Sequence, residues 1–203
     1  MNDNQKEVRA YEVDTIELRK KGESETDSIR WADGVAIVYD QETEIFDGYF
    51  EKIDRNAFTK WLEGNPKIRC LFNHNYDFVL SDNQDSKPSL EIKNMGDGLF
   101  FSTPINENVS YGKDLLENLR HKNIGGCSFA FSVDKEDIKT RADGTQIRTI
   151  LEGKLYEISI VVSPAYLQTS VCLRSMEKLK PKDVFDKELF DKREKDIKLL
   201  ELL

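Results

Sequence analysis

The chain has 203 residues, 38% hydrophobic and 33% charged, and its 38 acidic and 30 basic side chains leave a net charge of −8. A sequence pI near 5.0 counts against a nucleic-acid binder held by phosphate contacts, which needs clustered cations. No run reaches the ~18 apolar residues of a membrane helix and MNDNQKEVRA lacks the apolar centre of a signal peptide, so a cytosolic protein with neither membrane nor nucleic-acid partners is expected.

The length suits one domain with an appendage, here divided as 1–175 and 176–203. Three cysteines, Cys70, Cys127 and Cys172, are an odd number at wide spacing, which points to free thiols. Cys70 and His74 could be a fragment of a zinc site, but structural sites show two close ligand pairs and no second pair is near. No metal and no cofactor are expected.

In chain order, residues 7–19 read as an opening strand and 20–28 as a polar loop. A strand over 29–39, a turn at 40–43 and a short strand at 45–50 read as a hairpin. Phe58, Trp61 and Leu62 at i, i+3, i+4 spacing predict a short helix within 54–63, closed by Gly64 and Asn65-Pro66. Residues 67–74 alternate, with Ile68, Cys70, Phe72 and His74 on one face, followed by a polar loop at 75–77. His74 then either closes the core through hydrogen bonds or serves as a general base, for which an unperturbed pKa of about 6.5 suits it.

Residues 81–88 read as a loop, and Asn94-Met-Gly-Asp-Gly98 joins two strands, 89–93 and 99–105, in a hairpin. Ser110 is suited to cap a helix running to about residue 122, with Tyr111, Leu115, Leu116 and Leu119 as its apolar stripe. His121 falls in the last turn, where a cation suits the helix dipole, and reads as structural.

Residues 123–133 (NIGGCSFAFSV) form the central motif. Alternation places Gly126, Ser128, Ala130 and Ser132 on a small, polar face and Gly125, Cys127, Phe129, Phe131 and Val133 on a core face. Strands at 146–151 and 154–162 follow a turn at Ala142-Asp-Gly144. The second is apolar on nearly both faces and therefore central, with Leu155, Glu157, Ser159 and Val161 on one face. An ionised Glu157 there needs a partner: a histidine serves, or the strand is an edge and Glu157 meets water or a cation such as Arg148.

Ser163-Pro164-Ala165-Tyr166 breaks this strand, and 176–203 carry clustered charge with an interrupted apolar stripe, a helical appendage. Nine or ten strands with two internal helices predict an α+β, mainly β fold: a closed or strongly curved antiparallel β-barrel surrounded by helices. A serine on a small-residue face, a histidine at a strand end and a buried glutamate can fill the nucleophile, base and orienting roles of a hydrolytic triad, which is recognised by roles and not by chain order.

Gly34-Val-Ala36, Tyr49-Phe-Glu51, Asn56-Ala57-Phe58, Asn73-His74, Asp97-Gly98-Leu99, Gly126-Cys-Ser-Phe-Ala-Phe131, Glu157-Ile-Ser159 and Ser163-Pro164-Ala165-Tyr166 stand in this order. Together they make residues 8–174 resemble the tailed-phage prohead maturation serine proteases, relatives of the herpesvirus assemblin proteases. The resemblance implies an assemblin-like fold and a serine endopeptidase that cleaves scaffold-protein and major-capsid-protein segments, and itself, inside the immature head in the host cytoplasm. It implies a homodimer, and catalytic residues at Ser128 and His74. Assemblin relatives use a second histidine as third member; Glu157 in its EIS motif is the expected counterpart here, with His121 the rival. Cys127 beside Ser128 raises a thiol nucleophile, but adjacent strand residues face opposite ways and Cys127 keeps apolar company. The competing class is a non-catalytic assembly factor, a scaffold-binding barrel; a metal-dependent hydrolase would need more Cys and His than are present.

Overall fold

A computed structural model describes residues 6–11, 16–19 and 29–162. Eleven strands and two helices are formed among them. The strands are β1 (Glu7–Tyr11), β2 (Glu17–Arg19), β3 (Ile29–Val38), β4 (Thr43–Phe46), β5 (Tyr49–Ile53), β6 (Arg69–Phe72), β7 (Asn75–Asp82), β8 (Glu91–Met95), β9 (Gly98–Asn106), β10 (Gly126–Thr140) and β11 (Gln146–Val161). The helices are α1 (Thr59–Glu63) and α2 (Ser110–Arg120). The breaker at Ser163–Tyr166 and the appendage expected at 176–203 lie outside the described residues.

The fold is mainly β, as expected, but among the described residues no sheet closes into a barrel. One sheet of seven strands runs β1-β10-β11-β5-β4, with β6 also pairing β11 and β7 pairing β6; a second of four runs β2-β3-β9-β8. One buried apolar cluster draws on both: Ala32, Val35 and Ile37 of β3 and Leu99 and Phe101 of β9 join Cys127, Phe129 and Phe131 of β10 and Ile158 and Ile160 of β11. Phe58 sets its ring edge-on to Phe129 and Phe131, at 6.5 and 5.9 Å between centroids, a favoured aromatic geometry. Of the predicted stripe of α2, Leu115, Leu116 and Leu119 are buried and Tyr111 is half-buried.

Several sequence expectations are corrected. The opening strand of 7–19 is two strands in different sheets, since β1 pairs β10 and β2 pairs β3. The strand at 29–39 does not form a hairpin with its successor: β3 pairs β9. The hairpin is β4–β5, closed at Asp47-Gly48, where Gly48 takes a φ of +72° that favours glycine. Residues 75–82, read in part as loop, form β7 against β6; its polar and aromatic mixture has no core alternation. Val109, and not Ser110, occupies the N-cap of α2. The two strands expected after residue 145 are one continuous strand of 16 residues.

β11 is central at both ends of its length. It pairs β10 on one side and, in parallel, β5 through residues 146–150 and β6 through residues 157–160 on the other. A bulge against β10 falls where Ala130 faces Glu157 and Phe131 faces Leu155. The extra residue reverses the parity between Glu157 and Leu155. Leu155 therefore joins Ile158 and Ile160 in the core cluster and not Glu157, while Tyr156 meets Ser132 by a 2.8 Å hydroxyl pair.

Candidate active site

β10, β11 and β6 lie side by side and carry the candidate residues. Register sets Ser128 opposite Ser159 and Ala130 opposite Glu157, with Glu157 beside Arg69 and Ser159 beside Leu71 on β6. Directly opposed residues share a face. Ser128, Ser159 and Glu157 thus occupy one side of the sheet while Cys127, Phe129, Ile158 and Ile160 fill the core on the other.

His74 reaches that side through an unusual turn. Continued alternation would put it with Cys70 and Phe72. Instead Asn73 and His74 both take left-handed backbone, φ +53° and +57°, uncommon for residues with side chains. The Asn73 N–H donates to the Ile160 carbonyl (2.9 Å) and the Asn73 Oδ1 accepts from the Val162 N–H (3.0 Å). These bonds tie the turn to the end of β11.

His74 Nδ1 lies 2.6 Å from Glu157 Oε1. The Glu157 side chain is 1% exposed and that of His74 32%, so a buried carboxylate orients a ring still open to solvent. Ser159 Oγ donates to Glu157 Oε2 at 2.6 Å and accepts the His74 backbone N–H at 3.2 Å. Both carboxylate oxygens are thereby engaged, which a buried carboxylate requires. The edge-strand and Arg148 alternatives for Glu157 do not hold: β11 is flanked on both sides at this point, and Arg148 pairs with Glu7, Glu51 and Glu136.

Ser128 is fully buried and does not hydrogen-bond His74; its hydroxyl donates to the backbone carbonyl of Arg9 at 2.8 Å. His121 lies away from this cluster, 73% exposed at the end of α2 and 3.9 Å from Glu117. Cys127 is enclosed in the core, where burial raises its thiol pKa well above the ordinary value, and burial pushes Cys70 up to about 12. Neither presents a thiolate near neutral pH. Among the described residues no group of three or more His, Cys, Asp or Glu is placed to hold a metal ion, and no helix is long and apolar enough to cross a membrane.

Two contributors were missed in the sequence. Ser159 appeared there as a face residue and as the end of the EIS motif, with no role of its own, although its i+2 position from Glu157 was the available signal. Arg9 had no local signal, because its carbonyl matters through strand pairing.

A histidine oriented by a buried carboxylate beside a strand-borne serine is an arrangement suited to serine protease chemistry. The family model of the caudovirus prohead serine proteases matches residues 14–182, and the chain belongs to that family and is a serine protease. The bacteriophage T4 capsid assembly protease, gp21, has a solved structure similar to this one, with a TM-score of 0.55 at 11% identity over 80% of this chain and 100% of that one. At that identity the likeness speaks for the fold. No curated protein matches the sequence.

Proposed function

We propose that this protease cuts scaffold-protein and capsid-protein segments, and itself, within the immature phage head in the host cytoplasm, through an acyl-enzyme on Ser128. The observation that carries the reading is the 2.6 Å pairing of His74 Nδ1 with Glu157, one strand away from Ser128. With Nδ1–H donated to Glu157, Nε2 carries the lone pair and acts as base.

The Ser128 hydroxyl leaves the Arg9 carbonyl and turns to His74. Its oxygen bonds to the substrate carbonyl carbon as its proton passes to Nε2, and Glu157 stabilises the imidazolium. The carbon–nitrogen bond then breaks, with the Nε2 proton going to the leaving amine. Water then adds to the acyl carbon as its proton passes to Nε2, the bond from that carbon to Ser128 Oγ breaks, and Nε2 returns the proton to the serine. The homodimer implied by the assemblin likeness belongs to the same reading; sedimentation that finds a fully active monomer removes it.

The test is Ser128→Ala beside Cys127→Ala. Scaffold cleavage is expected to fall by about 10⁴ in the first, with its melting temperature nearly unchanged, and to persist in the second. The reverse pattern would assign the nucleophile to Cys127.

A further inference from the structure

β1 lies upstream of residue 14, where the family match begins, yet it is hydrogen-bonded to the strand that carries Ser128. Glu7 through Tyr11 pair antiparallel with Phe131 through Cys127. Three contacts hold it. The Arg9 carbonyl accepts the Ser128 hydroxyl. Lys6 Nζ donates to the Tyr76 hydroxyl at 3.1 Å, two residues beyond His74. The Glu7 and Arg9 side chains, which alternation puts on the same side of β1, enter a set of charges built on other strands.

That set is Glu51 of β5 and Arg148 of β11, direct register partners. Arg9 forms a fork on Glu51, Nε to Oε1 at 2.6 Å and Nη2 to Oε2 at 2.8 Å. Arg148 forms the reciprocal fork on Glu7, Nη1 to Oε2 at 2.8 Å and Nη2 to Oε1 at 2.9 Å, and also reaches Glu51 at 3.0 Å. Two-pronged guanidinium–carboxylate pairs are the most geometrically selective of ionic contacts. Glu51 is 4% exposed, so a strand lying here without a cation at Arg9's place leaves a buried carboxylate short of one partner. On the opposite side the small Ala10 faces Ser128, and the backbone alone meets the hydroxyl.

We propose that the edge of β10 beside Ser128 is a binding lane for an extended peptide, that residues 7–11 occupy it as the chain's own stand-in for substrate, and that Glu51 and Arg148 select strands carrying a carboxylate followed two residues later by an arginine. Strand addition supplies the main-chain bonds and the two forks supply the selection. The lane's use in catalysis rests on the protease reading of Ser128; its occupancy by β1 does not.

The experiment compares the full-length wild type with Arg9→Ala, which loosens β1 and leaves Glu51 paired to Arg148. Amide hydrogen exchange over 7–11 and 127–131, and labelling of Ser128 by a fluorophosphonate probe, are both expected to accelerate at least tenfold. A saturating synthetic peptide of sequence KEVRAY should reverse both effects. Copies of the peptide with alanine at the Glu or at the Arg should need at least tenfold higher concentration. Unchanged exchange in Arg9→Ala, or equal protection by the three peptides, overturns the proposal. Faster exchange reversed selectively by KEVRAY, with no chain labelled at Ser128, supports the lane and instead removes the nucleophile assignment. Should Arg9→Ala not fold, full-length Glu7→Ala takes its place with the same expected and overturning results.

Discussion

His74 and Glu157, 83 residues apart in the chain, meet through a 2.6 Å contact between Nδ1 and Oε1. The buried carboxylate has its second partner in the Ser159 hydroxyl, so its charge is satisfied on one side by a neutral donor and on the other by the ring it orients. This asymmetry leads to the first two predictions.

Glu157→Gln keeps the volume and removes the charge. The amide can no longer stabilise an imidazolium, and its NH₂ can favour the wrong tautomer. We expect kcat to fall by about 10³- to 10⁴-fold with KM little changed, and a loss of stability below about 3 kcal/mol. Steady-state kinetics beside urea unfolding decide it. A stability loss above that figure with less than a tenfold drop in kcat would make the pair structural.

Ser159→Ala removes one donor to Glu157 and the acceptor of the His74 amide. The two groups left short of a partner should cost about 1–3 kcal/mol. Looser placement of the imidazole should lower kcat about ten- to a hundredfold. Ser159→Cys, which retains a weak donor, should recover part of the rate, whereas equal rates for the two variants would show that this hydroxyl does not position the ring.

Gly112→Ala sets helix propensity against packing. Alanine favours a helix interior over glycine by about 1 kcal/mol, but a Cβ at Gly112 would lie 2.3 Å from the Asn106 carbonyl oxygen. Backbone cannot yield as a flexible side chain can, and overpacking of this kind costs about 1–3 kcal/mol. We therefore expect net destabilisation, seen as a lower urea midpoint; a raised midpoint would mean that α2 shifts off β9 freely.

Asp82 supplies a pH dependence. Burial alone would raise its pKa, but N–H groups of Asp85, Gln84 and Ser86 and the nearby charge of Lys67 outweigh that and bring it down to about 2. A folded pKa below the unfolded value of about 3.9 means stability that is present above about pH 4 and lost as pH falls through about 2. Asp82→Asn should therefore be less stable than wild type by about 2 kcal/mol at pH 7, with the gap closing between pH 4 and pH 2. A gap that stays constant over that range would show that the charge has no part in it.

Local pattern was enough to read the two faces of β10, because Cys127, Phe129 and Phe131 alternate with small residues and the extra residue of the bulge beside them belongs to β11. It also identified α2 and the β8–β9 hairpin, where apolar spacing and turn residues act over a few positions. The same alternation wrongly put Leu155 on the face of Glu157, since one bulged residue between them inverts parity without any mark of its own in the sequence. It misread His74 for a related reason: two consecutive left-handed residues, neither of them glycine, are held only by bonds to the end of β11.

The sequence by itself determined a mainly β chain, a small-residue face at Ser128 and the need of Glu157 for a partner, all consequences of side-chain period and of the cost of burying charge. Only the tertiary structure decided which partner Glu157 takes, that Ser159 bridges it to the His74 turn, that the described strands form two sheets, and that the Arg9 carbonyl covers the Ser128 hydroxyl. Those outcomes depend on register between strands distant in the chain, and hydrogen bonds between such strands have no local signature.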